Sequence, residues 1–220
     1  VRTGKWKIAG TPLAILIDFT TFFGEKDQIF KSLWEDYQLD SLSGQWDYIE
    51  PAVFGYTAGK LIESFTNFYL SVKHTALAHF HEWMTGMGLL YLEENTPYIG
   101  TVFTTHATVM GRSLAGNGYP LYEKLQEFNT DELSNQLGVR AKHSLEKLAA
   151  QKADSFTTVS NITARECEKF LGKMPDVITP NGFNPDFVPG ENDLKKNKKV
   201  YRKALSELAT AISGEKTSEN

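Results

Sequence analysis

Strand-length runs of apolar and β-branched residues alternate along this chain with segments of helical period, and that alternation restricts the fold more than any other feature. The runs are Pro12–Phe19, Thr75–Phe80, Tyr98–His106, Ser155–Ser160 and Asp176–Thr179. Between them, apolar spacing predicts helices over Gln28–Tyr37, Trp46–Tyr69, Thr85 through Leu92, Val139–Gln151 and Ile162–Leu171. Asn129 and Glu132 have capping-box spacing for one more, and Ser160 is placed to cap the helix that follows it. Strands alternating with helices predict right-handed crossovers and an α/β fold, a Rossmann-like parallel sheet with helices on both faces.

Within that frame, Pro12–Phe19 reads as a central strand, closed by an Asp18 that either caps a turn or serves a site. Ala76, Leu77, Ala78 and Phe80 read as a strand buried on both faces. In Trp46–Tyr69, residues Ala58, Leu61, Ile62, Phe65, Phe68 and Tyr69 fall on the expected core face. Gly55 and Gly59 would admit another element closely, and Pro51 belongs to the first turn. Gly111–Tyr119 reads as irregular and Pro120–Phe128 as a short helix. Phe183–Gly190 is a proline-containing loop, and Gly214–Asn220 is expected to be disordered. Residues 1–190 thus form one partial Rossmann-like domain, and 191–220 a basic amphipathic helix and tail.

A length of 220 residues supports one substantial core. A net charge of −4 gives no reason to expect nucleic acid or an acidic membrane as partner, and no apolar run is long enough to span a bilayer. No secretory pattern opens the chain, and a lone cysteine, Cys167, permits no internal disulfide. These features favour a cytoplasmic setting, with Cys167 a structural residue.

In open parallel sheets, ligands bind where strands end at their carboxyl edge. His81, Glu82 and Thr85 stand at one such end, and Thr105 and His106 at another. His79 and His81 share a strand face, which allows a metal reading with Glu82 or His106 completing the set. The alternative is one histidine satisfied internally and one at the crevice; His74 and His143 read as surface residues. Asn181-Gly182 is either a simple turn or an amide with close backbone approach to a ligand. Neither GxGxxG nor GxxxxGK[ST] occurs.

The run His79-Phe80-His81-Glu82-Trp83-Met84-Thr85-Gly86, followed by Thr101 to Arg112, resembles glycogen synthases of the animal and fungal type. Lys142–Lys147, Phe156–Ser160 and Asp176–Asn184 continue the likeness in order and spacing, and Gly4–Pro12 resembles the family's approach to an early strand. The resemblance implies a two-domain GT-B glycosyltransferase that moves glucose, with retention, from a nucleotide sugar to the non-reducing end of an α-1,4-glucan. It implies no metal and no cofactor, with UDP-glucose or ADP-glucose as substrate. It makes His81 the catalytic contact to the transferred glucose. Asn181 would lie at the same sugar, and His106, Thr105 and Gly182 would line the site. Arg112 falls in a matching motif without a role.

Family features are also missing. The lysine-glycine-glycine loop expected near the N-terminus is not found, nor are the arginine, lysine and glutamate that hold the donor diphosphate. The chain therefore reads as an excerpt of the acceptor-side domain. It would be inactive alone, and its partners would be the donor, the glucan and a missing C-terminal domain, with homo-oligomerisation left open. Two other classes stay in view: a metal-dependent hydrolase using His79 and His81, and a non-catalytic carbohydrate-binding module.

Overall fold

The computed structural model describes residues 1–71, 73–183 and 190–214, without the side chains of 191 and 192. The expected loop over Phe183–Gly190 falls almost wholly outside the described residues, and so does the expected disordered tail beyond Gly214. The chain forms two compact units, Val1–Pro180 and Asn181–Asn220.

The first unit is built on a parallel sheet of β3 (Leu77–His81), β4 (Gly100–Thr105), β5 (Ser155–Thr158) and β6 (Val177–Ile178), each beside its predecessor and flanked by helices. The register pairs Phe80 with Phe103 and Phe103 with Phe156, so one face carries a row of buried rings. That row packs beneath α3 (Gly86–Asn95) and α6 (Arg140–Lys152). α5 (Thr130–Gln136) and α7 (Asn161–Glu166) begin at the caps read from sequence: Asn129 Oδ1 accepts from the Glu132 amide, and Ser160 Oγ from that of Thr163.

β3 is an edge strand, not one buried on both faces. It alternates, with Ala78 and Phe80 buried and Leu77, His79 and His81 exposed. The run Pro12–Phe19 is likewise not a central strand. Its core, β2 (Leu13–Leu16), pairs antiparallel with β1 (Arg2–Lys5) in a separate two-stranded ribbon, and Leu13 and Leu16 are exposed. An apolar run announces β structure without naming its partner, and a short turn with positive φ at Gly10 and Thr11 supplies a local one.

α1 (Lys26–Tyr37) leads to α2 (Trp46–Tyr69), which buries a different face from the one its large side chains suggest. Ala52, Gly55, Gly59 and Thr66 face inward, while Phe65, Phe68 and Tyr69 are exposed beside the β-ribbon, around a cavity of about 660 Å³. The glycines decide this, because only a bare backbone lets α2 approach α3 so closely. A Cβ on Gly59 would lie 2.9 Å from the Gly88 carbonyl oxygen. Pro51 is the sixth residue of α2, past the first turn, and the helix continues through it. Phe68→Ser is therefore expected to change stability by less than about 0.5 kcal/mol in urea unfolding, whereas a core phenylalanine would cost about 3 kcal/mol or more.

Two further expectations are corrected. The glycine-rich stretch taken as irregular is mostly a helix, α4 (Val109–Gly116), capped by Thr108 Oγ1 accepting from the Gly111 amide. Gly111 is there for space: a Cβ would lie 2.1 Å from Glu166 Oε2. Pro120–Phe128 holds only a 3₁₀ turn, Leu125–Glu127. The second unit contains α8 (Glu191–Ser213), whose Val200, Leu205, Leu208 and Ile212 are exposed, ending at a left-handed Gly214.

Candidate active site at the carboxyl ends of β3 and β4

β3 and β4 end side by side, so the histidines that close the two runs meet. The ring centroids of His81 and His106 are 5.6 Å apart with planes inclined by 28°, and those of His79 and His81 are 4.1 Å apart. His79 is satisfied internally: its Nε2 lies 2.7 Å from Thr104 Oγ1, which lies 2.5 Å from Thr157 Oγ1 on β5. Among the described residues, no hydrogen bond engages the His81 ring. Its carbonyl accepts from Thr85 Oγ1 at 2.8 Å, which fastens the strand end to the turn before α3. Burial lowers the His81 pKa below the usual imidazole value, and the neighbouring His79 and His106 lower it further against an opposing pull from Glu82. The ring is therefore neutral at pH 7 and able both to donate and to accept.

Glu82 turns the corner after His81. Its amide donates to the Thr104 carbonyl, and its Oε1 accepts from the backbone amide of His106 at 2.9 Å and from His106 Nδ1 at 3.0 Å. Arg112 Nη2 stands 4.0 Å from the same oxygen. Glu82, Trp83, Met84, His106, Ala107, Val109 and Arg112 line a cavity of about 450 Å³.

Thr105, expected to line the site, is fully buried. Its hydroxyl donates to Glu146 Oε1 at 2.8 Å, so the side chain supports the loop from beneath. Glu146 on α6 also accepts the Val109 amide, while Glu166 accepts from Thr108 Oγ1 and the Tyr122 hydroxyl. These two buried glutamates hold the β4–α4 loop that carries His106. Sequence reading missed them because a glutamate on a helix ordinarily faces water. Burial pushes the Glu146 pKa up to about 8 despite these two donors, and Glu82 and Glu166 push the same way.

His143, read as a surface residue, is buried on α6 with Nδ1 lacking a partner. Its burial pulls its pKa down to about 4. His74 is exposed and bonded to Ser71. Cys167 is fully buried, and its pKa is raised well beyond the ordinary thiol range by that burial. Asn181 and Gly182 are exposed, in irregular backbone at the start of the second unit.

Among the described residues, no three or more His, Cys, Asp or Glu converge as a metal-ligand set, so the hydrolase alternative finds no support. None of the described helices is long and apolar enough to cross a membrane.

A parallel α/β sheet flanked by helices, with a polar cluster where two neighbouring strands finish, has the character of a Rossmann-like domain of a GT-B glycosyltransferase. The profile of one such family, glycogen synthase, matches residues 1–202, and the chain belongs to that family. It is 34% identical over 208 residues to a glycogen (starch) synthase of Dictyostelium discoideum, covering 94% of this chain and 23% of the relative. It is 35% identical over 182 residues to glycogen (starch) synthase isoform 2 of Saccharomyces cerevisiae, covering 82% and 26% respectively. To the liver enzyme of Rattus norvegicus it is 33% identical over 208 residues, covering 94% and 29%. The chain thus spans about a quarter of the length of these relatives.

Proposed function

We propose that this chain is the acceptor-side part of a retaining glucosyltransferase, which extends the non-reducing end of an α-1,4-glucan from a nucleotide-sugar donor. The supporting observation is the family match over residues 1–202 together with an unengaged, neutral His81 ring at the carboxyl end of β3. His81 contacts the transferred glucose and stabilises the positive charge that develops at its anomeric carbon, through its carbonyl or its ring. His106 contributes a second polar contact beside it. Asn181 and Gly182 are assigned to glucose binding by the motif match alone. UDP-glucose is the expected donor, from the likeness to animal and fungal enzymes, and neither metal nor cofactor enters the scheme. A single cysteine supports a cytoplasmic setting. The remaining domain of the enzyme is the partner that supplies the donor diphosphate contacts.

The test is incorporation of radiolabelled glucose into glycogen from UDP-glucose by a full-length enzyme that contains this sequence. Transfer with retention is expected there, and none from the 220-residue chain alone. His81→Ala is expected to lower kcat by about 100-fold. Transfer at the wild-type rate by that variant would refute the role given to His81, and transfer by the chain alone would refute its dependence on the remaining domain.

A further inference from the structure

Glu82 is the feature of this site that the transfer scheme leaves unused. Its backbone sits at φ 64°, ψ 161°, a region that only glycine occupies readily. A non-glycine residue persists there only when its surroundings hold it, and here they do so from both ends. The Glu82 amide is tied to the Thr104 carbonyl at 2.9 Å, and the carboxylate, largely buried, receives two N–H donors of His106. A carboxylate only accepts, so His106 Nδ1 must carry its proton towards Glu82. In the neutral ring Nε2 is then the accepting atom, on a side chain that is partly exposed and lines the cavity also bordered by Arg112. The His106 ring lies beside that of His81, centroids 5.6 Å apart with planes inclined by 28°.

We propose that Glu82 is a positioning residue: its strained corner locks His106 as the Nδ1–H tautomer, so that Nε2 accepts from a hydroxyl of the glucosyl unit beside His81. The proposal rests on the glucosyltransferase reading. The obvious simpler role, a turn residue holding the fold, would be met better by glycine at this φ and needs no carboxylate.

Two measurements test it. The first is ¹⁵N NMR of the histidine side chains in this chain, with the His79 ring as an internal check on folding. The expected spectrum has a protonated Nδ1 and a bare Nε2 for His106. Glu82→Gln keeps that pattern, because the amide oxygen still accepts. Glu82→Ala and Glu82→Gly lose it, the second without the backbone strain that alanine keeps. A proton on Nε2 in the wild type, or an unchanged tautomer in Glu82→Gly, overturns the proposal.

The second measurement is glucose transfer by the full-length enzyme. Glu82→Gly is expected to lower kcat/KM by about 100-fold, as a misplaced contact does, and Glu82→Gln to recover most of it. Wild-type kcat/KM in Glu82→Gly overturns the positioning role while leaving the glucosyltransferase reading intact. A wild-type enzyme that transfers no glucose removes that reading, and the sugar-directed role of Glu82 falls with it.

Discussion

Raising the pH from 6.5 to 8 is expected to cost the wild-type chain about 2 kcal/mol of folding stability, and Glu146→Gln to abolish that loss. Glu146 is fully buried on α6, and burial lifts its pKa from the ordinary 4.5 to about 8. For an acid with a raised folded pKa, the stabilising contribution is complete below 4.5 and is lost as pH climbs through 8. The full span amounts to about 5 kcal/mol.

His143, three residues earlier on the same helix, works in the other direction. Its folded pKa is about 4 against an ordinary 6.5. Its contribution is complete above 6.5 and is lost as pH falls towards 4, a span of about 3 kcal/mol. Between pH 4.5 and 6.5 the contributions of these two groups oppose and cancel. Above 6.5 only the Glu146 slope remains. Urea unfolding across this range separates the two groups: His143→Leu exposes the Glu146 slope from 4.5 upward, and Glu146→Gln exposes the His143 slope below 6.5. A wild-type stability that stays level up to pH 8 would show that Glu146 ionises inside the fold without penalty, and the account of the β4–α4 loop would fail with it.

The parallel sheet was legible because each strand is an apolar run closed by a polar residue, and parallel strands with helical crossovers have few alternative arrangements. His81 and His106 were legible for the same reason: each stands where a run finishes, and neighbouring strands that end together bring the residues at their ends together. The ribbon of β1 and β2 was not legible, since pairing partners are set by turns such as Gly10-Thr11 rather than by composition. The inward face of α2 was misread because hydrophobic spacing rewards Phe65 and Phe68, whereas the packing rewards the absence of side chains at Gly55 and Gly59. The buried His143, Glu146 and Glu166 were missed on one principle. Charged or ionisable residues on a helix look solvated until the loop they support is placed over them. Glu82 was noticed at the strand end and as a possible metal ligand, but its strained corner was not, because that backbone conformation has no sequence signature.

Gly88→Ala is expected to strain the core where α2, α3 and β3 meet. The added Cβ would lie 2.6 Å from the Gly55 carbonyl oxygen on α2 and 2.7 Å from Phe80 Cε1 on β3. Neither neighbour can simply swing away: one is backbone and the other is a buried ring in the row beneath α3. The helices must separate or Phe80 must leave its position, an overpacking cost of about 3 kcal/mol. Better helix propensity returns about 1 kcal/mol, leaving a net loss of about 2 kcal/mol in urea unfolding. Gly116→Ala, near the end of α4, is the control. Its Cβ would meet open space, and the same propensity makes it neutral or slightly stabilising.

The consequence of Gly88→Ala extends to the site, because α3 begins immediately after Thr85, whose hydroxyl holds the His81 carbonyl. A shift of α3 therefore moves the strand end as well as loosening the core. If Gly88→Ala instead unfolds at the wild-type urea concentration, α2 and α3 are not in backbone contact. The glycines would then need another explanation, and the packing that fixes the end of β3 would have to come from elsewhere.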